Sequence, residues 1–195
     1  MSLSRQQTTL IGIFALFMGP VILVILMRSS WWQYQPAGSK NLGQLIQPPV
    51  HLSLQLPEET DGKWLILYAL ETSCDRKCVE NVTSLRQIHR AAGRHRDQLA
   101  IVLLGKNSTE PALRSMLESI YPEFQIIADS TATARPSLET VNADVVDRSN
   151  ESNSFHTYIL DPMRNVILAY GAHSNPNDIH KDLGRLLKWS DQENR

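Results

Sequence analysis

The longest apolar run in the chain lies near its N-terminus, from Leu10 to Met27, where no residue is charged. As an α-helix this run would be about 27 Å long, close to the roughly 30 Å hydrocarbon core of a bilayer. Arg5 and Arg28 bracket the run, and three aromatic residues typical of membrane interfaces follow it: Trp31, Trp32 and Tyr34. The pattern predicts a transmembrane anchor over residues 1–28, with a cleaved signal peptide and a buried core helix as the alternatives. Its flanking positive charges are nearly balanced and do not fix its orientation.

A segment rich in Gln, Pro, Gly and Ser follows, and residues 29–49 are predicted to be a tether. The folded domain is predicted over residues 50–195, beginning with an edge strand in the weakly alternating stretch 50–54. Two continuous apolar runs indicate buried strands at 64–70 and 99–104, and helical spacing predicts helices at 75–92 and 111–121.

The second half of the domain has a less regular pattern. A short strand is predicted at 124–127, and the polar stretch 129–154 is predicted to be a long loop or a loop with one helical turn. A hairpin turns at Asp161–Arg164, and a last helix covers 176–189. The order strand, helix, strand, helix, hairpin, helix predicts an α/β domain with a mixed sheet flanked by helices.

Charge narrows the function classes only slightly. The formal net charge is −1, so the composition does not favour nucleic acid as a partner. A short basic run is predicted to be the solvated end of a helix; it comprises His89, Arg90, Arg94, His95 and Arg96. The sequence contains no phosphate-binding loop, zinc-protease motif or serine-hydrolase motif.

The two cysteines, Cys74 and Cys78, lie where the first buried strand passes into the first helix of the domain. On one helical face their Cβ atoms would be about 6 Å apart, so a disulfide would require the first turn to unwind. Two thiolates so placed can instead bind a soft metal such as Cu(I). The helix N-terminus, with Arg76 and Lys77, is predicted to lower a thiol pKa. Since a disulfide closing so short a loop adds little stability, redox or metal chemistry is favoured over a structural role.

These residues resemble a known family. The turn 61–64, the apolar strand, C-x-x-x-C and a helix, followed by the hairpin around Asp161-Pro162, are similar to the Sco proteins. Sco proteins are membrane-anchored, thioredoxin-like factors that deliver copper to cytochrome c oxidase or reduce its cysteines. The resemblance implies a thioredoxin-like fold, Cys74 and Cys78 as redox or copper-binding residues, and copper as the bound metal. It also implies an oxidase subunit or assembly factor as partner, and an inner-membrane location with the domain in the periplasm.

The third copper ligand of the family is not in its usual place, since Asn153 occupies that position and Phe155 occupies the place of the cis-proline of many thioredoxin-like enzymes. His156 therefore has two interpretations: a third metal ligand beside Cys74 and Cys78, or a polar residue held by a backbone carbonyl. Its odd shift from Asn153 along a strand predicts the opposite face of the sheet and favours the second. Two functions remain open: oxidase assembly through copper binding or thiol exchange, and a non-catalytic membrane-tethered scaffold that binds an oxidase subunit or assembly factor.

Overall fold

The structure is a computed structural model that describes residues 5–28, 41–71, 74–106, 110–129, 132–149, 155–171 and 173–193. The chain divides into two compact units, Met1–Ser39 and Lys40–Arg195. The three predicted interfacial aromatic residues, most of the predicted tether and Asn153 lie outside the described residues.

The first unit contains one helix, α1 (Arg5–Arg28), with Pro20 inside it. Large apolar side chains along this helix are exposed, Phe14 by 65% and Leu16 by 73%. Within the ranges given above, no helix is both long enough and apolar enough to cross a membrane. The membrane anchor stays a prediction.

The second unit is built on one six-stranded sheet in the order β1-β6-β5-β2-β3-β4. Its strands are β1 (Gln44–His51), β2 (Trp64–Ala69), β3 (Leu99–Gly105), β4 (Gln125–Ala128), β5 (Phe155–Leu160) and β6 (Asn165–Gly171). Its helices are α2 (Arg76–Ala91), α3 (Pro111–Ile120), α4 (Ala134–Ser149) and α5 (Pro176–Glu193), with short 3₁₀ helices at Glu58–Thr60 and Gly93–Gln98. Strands β2, β3 and β4 are parallel, and β5, β6 and β1 extend the sheet antiparallel. The prediction of a mixed sheet flanked by helices is confirmed.

The continuous apolar run of β2 reflects burial on both faces of the sheet. Ile66 and Tyr68 pack into one core with side chains of α2, α3 and α5. Leu65 and Leu67 pack into a second core with side chains of α4 and with Leu52. Because β2 lies in the interior of the sheet, its carboxyl end is held from both sides, and the cysteines follow directly after it.

The prediction of a loop at 129–154 is wrong, because α4 covers most of that stretch. Ala134, Leu138 and Val141 are buried and four and three residues apart, which is helical spacing along a single narrow stripe. Most other residues of this helix are polar, so three buried apolar residues were too few to indicate a helical period in the sequence. The carboxylate of Asp129 accepts hydrogen bonds from the backbone N–H groups of residues 133–135 and fixes the start of the helix.

The first strand begins at Gln44, six residues before the predicted edge strand. Its approach is fixed by Asp182 of α5, whose Oδ2 accepts hydrogen bonds from the backbone N–H groups of Leu42 at 2.7 Å and Gly43 at 2.8 Å. Local sequence could not reveal a contact between positions so far apart. Pro48 and Pro49 lack the N–H that a ladder needs, and the register with β6 shifts across them.

His89 departs from the predicted solvated helix end, since it is 5% exposed. Its Nε2 lies 3.1 Å from the carbonyl oxygen of Leu99, and its Nδ1 lies 2.9 Å from the hydroxyl of Tyr121. Because a carbonyl only accepts, Nε2 carries the proton and Nδ1 accepts from the tyrosine in the neutral ring. Burial lowers the pKa of His89, and Arg96 and Lys63 lower it further, whereas the Leu99 carbonyl and Glu123 oppose the shift.

This burial predicts an acid-sensitive contribution to stability. An unfolded histidine titrates near pH 6.5 and the folded one titrates lower, so the unfolded state binds more protons and stability falls as the pH drops below about 6.5. We expect His89→Gln to flatten the decline in the urea midpoint between pH 7.5 and 5, with the exposed His51→Gln as the control. The same pH slope for wild type and His89→Gln would contradict this prediction.

Candidate functional site

The cysteine pair sits at the carboxyl end of β2, where the chain enters α2. Asp75 is the N-cap of that helix, and its Oδ1 accepts a hydrogen bond from the backbone N–H of Cys78 at 2.8 Å. The backbone N–H of Val79 donates to the Asp75 carbonyl at 3.0 Å. This capping places Cys74 just before the helix and Cys78 in its first turn.

Cys74 and Cys78 form a disulfide, with their Cα atoms 5.2 Å apart. The expected common helical face is wrong, because Cys74 precedes the N-cap and does not follow helical geometry. The Cα separation therefore falls within the usual range for a bridge without unwinding the helix. Cys78 is only 8% exposed and belongs to the core, whereas Cys74 is half-buried. Cys74 is therefore the more exposed residue of the pair.

Cys78 lines an open cleft of about 330 Å³, which we call the cysteine cleft. Its other lining residues are Tyr68, Glu71, Asp75, Lys77, Asn81 and His156. Burial raises the pKa of the Tyr68 phenol, the Asp75 and Glu71 carboxylates raise it further, and the Asn81 side chain opposes the shift. The phenol therefore remains a neutral group at physiological pH.

The structure places His156 in the same cleft as Cys78. The predicted opposite face was relative to Asn153, which lies outside the described residues, so that part stays a prediction. A register shift occurs at this point of β5: Phe155 pairs with Gly171, but Thr157 pairs with Tyr170. His156 is thus an extra residue in a β-bulge, and the alternation assumed for a regular strand does not hold there. Its ring centroid lies 6.5 Å from that of Tyr68, and its Nδ1 lies 4.0 Å from Oε1 of Glu71.

A second histidine near the cysteines was missed in the sequence. His173, in the loop after β6, lies with its Nδ1 2.8 Å from Nζ of Lys77. Lys77 stands between the two cysteines in the sequence and lines the cysteine cleft. His173 is exposed, and this contact joins the β6–α5 loop to the first turn of α2. No local sequence motif predicts this contact, since Lys77 and His173 are far apart in the chain.

On the other face of the sheet, a smaller cleft of about 110 Å³ shares two walls with the cysteine cleft. Glu71 and His156 line both clefts, and Arg135 of α4 lines the smaller one. The Arg135 guanidinium donates through Nη2 to the carbonyl oxygens of Leu70 and of Leu104, the latter at 3.2 Å. Sequence reasoning missed Arg135 because its helix was predicted as a loop.

The donor set for a copper ion depends on the redox state of the pair. In the structure neither cysteine is a free thiol, and a disulfide supplies no thiolate ligand. Among the described residues, no three His, Cys, Asp or Glu side chains are grouped so as to hold a metal ion. Once reduced, Cys74 and Cys78 would offer two soft thiolates, and His156 is an imidazole that shares the cleft of Cys78, a donor chemistry that suits copper. Reduction is therefore a precondition for metal binding here.

Comparison with solved structures gives matches at low sequence identity. Copper-bound Sco1 of yeast matches with a TM-score of 0.50 and 15% identity, over 66% of this chain and 80% of its own. Copper-bound ScoI of Bradyrhizobium japonicum matches with a TM-score of 0.45 and 16% identity, over 65% of this chain and 86% of its own. The thioredoxin domain of a thiol-disulfide oxidoreductase from Bacteroides vulgatus gives 0.45 and 12%, over 66% and 81%. At these identities the likeness to yeast Sco1 shows the fold alone.

No protein of curated function matches the chain. The model of one protein family matches residues 64–190, which include both cysteines, His156, Arg135 and every strand except β1. This match covers more than half of the chain and agrees with the thioredoxin-like fold described above. The chain belongs to the family of transmembrane-like, thioredoxin-like C-terminal domains.

Proposed function

We propose that this protein is a membrane-associated thiol–disulfide exchange factor that assists assembly of a respiratory oxidase. The observation that carries the proposal is the Cys74–Cys78 disulfide, in which Cys78 lines an open cleft and Cys74 is the more exposed residue. A bridge across so short a loop contributes little to stability, so its reactivity is the better reason for its presence.

The exchange follows from the exposure of the two cysteines. In the reduced pair, the Cys74 thiolate attacks one sulfur of a disulfide in the client protein. The client's S–S bond breaks as the mixed disulfide forms, and the released client thiolate takes a proton from water. The Cys78 thiolate then attacks Sγ of Cys74 and releases the second client thiolate, which is also protonated. Two electrons pass to the client, and the protein is left with the bridge seen in the structure. A dithiol reductant must reduce the pair again.

The proposed location rests on α1 and on the disulfide. The uncharged stretch from Leu10 to Met27 and the exposed apolar side chains of α1 suit association with a membrane. A disulfide persists in oxidising compartments such as the bacterial periplasm, where we place the domain, with α1 in the inner membrane. The likeness of the cysteine motif and hairpin to Sco proteins supports an oxidase subunit or assembly factor as the client.

Copper binding by the reduced pair is the second candidate function. It is favoured by His156, which the β-bulge turns into the cysteine cleft although its sequence position is not that of the family ligand. Copper would here be cargo held by Cys74, Cys78 and His156. A scaffold without chemistry remains the alternative if the pair neither exchanges nor binds metal.

One experiment with two arms tests these functions on the full chain in detergent. In the first arm, the pair is equilibrated with glutathione buffers, and we expect a reversible conversion between dithiol and disulfide within the range of that buffer. A pair that stays oxidised in strongly reducing glutathione would contradict the exchange function. In the second arm, the reduced chain is titrated with Cu(I) against a chelator. We expect binding that the Cys74→Ser/Cys78→Ser variant loses and that His156→Asn weakens; equal binding by all three proteins would contradict the copper function.

A further inference from the structure

We infer that Arg135 is a positioning residue for the cysteine pair: it holds the carboxyl end of β2 and thereby sets how closely Cys74 and Cys78 are presented to each other. Arg135 acts through the backbone at the end of β2 and not by contact with the client. The inference deepens the proposed exchange function and rests on it.

The guanidinium of Arg135 joins two parallel strands at their carboxyl ends. Its Nη2 donates to the carbonyl oxygen of Leu70, which directly follows β2, and to that of Leu104 in β3 at 3.2 Å. The backbone N–H of Leu70 also donates to the Leu104 carbonyl, at 2.9 Å. Leu70 is four residues before Cys74. These contacts therefore fix the point at which the segment 71–74, which we call the cysteine loop, leaves the sheet.

Arg135 is itself held from its backbone. Its N–H donates to Oδ2 of Asp129 at 2.9 Å, and the N–H of Asp129 donates to the carbonyl of Gly105 at 3.3 Å. Asp129 is 8% exposed. The start of α4 is therefore fixed to the ends of β3 and β4, and the guanidinium extends from a rigid base towards Leu70.

Glu71, the first residue of the cysteine loop, lines a cleft together with Arg135. Glu71 lines the smaller cleft with Arg135 and lines the cysteine cleft with Cys78. The Nε of Arg135 is buried and has no hydrogen-bond partner among the described residues, and the bonds to the two backbone carbonyls come from Nη2. Since one nitrogen donates to both carbonyls, a lysine ammonium has the donor geometry to replace it in part.

The spacing of the two sulfurs decides the equilibrium between dithiol and disulfide. A dithiol reagent reduces the bridge by giving up two electrons and two protons, and itself becomes a disulfide. The disulfide forms again more readily when the effective concentration of one cysteine thiol at the other is high. A loop whose entrance is held at Leu70 favours such a concentration. Loss of the Arg135 contacts frees the loop entrance and lowers that effective concentration, so the disulfide becomes easier to reduce.

The test compares Arg135→Met, Arg135→Gln and Arg135→Lys with wild type in the full chain. The matched control is Arg114→Met, because Arg114 on α3 donates to the Ile126 carbonyl at 2.9 Å, and Ile126 is in β4, which does not pair with β2. The measured quantities are the equilibrium constant against dithiothreitol and the thermal midpoint. We expect Arg135→Met to disfavour the disulfide about tenfold, equivalent to about 30 mV for a two-electron couple. Arg135→Gln should lie between Met and wild type, Arg135→Lys should restore most of the effect, and Arg114→Met should leave the equilibrium unchanged.

An unchanged equilibrium constant in Arg135→Met, or in Arg135→Gln if the first variant does not fold, would overturn the inference even if the thermal midpoint falls. An equal shift in Arg114→Met would also overturn it. Dithiothreitol reduces the pair without any client, so the comparison can be read even if wild type does not exchange with glutathione. In that case the proposed function fails and the inference about Arg135 is judged separately.

Discussion

Replacing Cys78 by serine is expected to leave the protein covalently joined to its client. Cys74 is the more exposed residue of the pair and can still form the mixed disulfide. The second step needs the Cys78 thiolate, whose Cα lies 5.2 Å from that of Cys74, and a serine hydroxyl cannot perform it. The exchange should stop at the intermediate, and the client should co-migrate with the full-length variant in membranes analysed without reductant.

The Cys74→Ser variant is the matched control for this prediction. It keeps one cysteine, but that cysteine is 8% exposed and lies in the core. We expect several-fold less mixed disulfide than with Cys78→Ser. Equal trapping by both variants would contradict the assignment of Cys74 as the attacking residue, and trapping by neither would count against thiol exchange altogether.

Replacing Asp182 by alanine is expected to cause a large loss of stability. This carboxylate is 1% exposed and accepts from Leu42, Gly43 and the hydroxyl of Tyr170, the last at 3.0 Å. Burial, followed by the Asp182 carboxylate, raises the pKa of Tyr170, so the phenol is a neutral donor. Alanine would leave these donors unsatisfied beside Arg185, at a cost of about 3–5 kcal/mol in the free energy of unfolding.

Urea unfolding of the full chain measures this loss, with Asp178→Ala on the same helix as the control. Asp178 forms a partly exposed contact with Lys181, at 3.8 Å, and its removal should change the free energy by less than about 1 kcal/mol. The space around Gly43 supports the prediction, because a Cβ there would lie 2.5 Å from the ring of Tyr170. A decrease below about 1 kcal/mol for Asp182→Ala would show that these hydrogen bonds do not hold the first strand in place.

The candidate site was predictable where it depends on neighbours in the sequence. The apolar run of β2 indicated a buried strand, and helical spacing predicted a helix from residue 75, so the sequence places the cysteines at the strand-to-helix junction. Whether the pair is bridged was not predictable in this way. The exact residue at which α2 begins decides whether Cys74 has helical geometry, and a local pattern does not fix that residue.

By itself, the sequence determined the order of the strands and most helices, the strand-to-helix position of Cys74 and Cys78, and the apolar character of residues 10–27. These features follow from side-chain periodicity and capping, which act over a few residues. Only the tertiary structure decided that His156 shares a cleft with Cys78, that Asp182 fixes the first strand, and that Arg135 holds the end of β2. Each of these features depends on partners that are distant in the chain: the bulge in β5, the buried carboxylate of Asp182 and the guanidinium of Arg135. A local sequence pattern does not predict such partners.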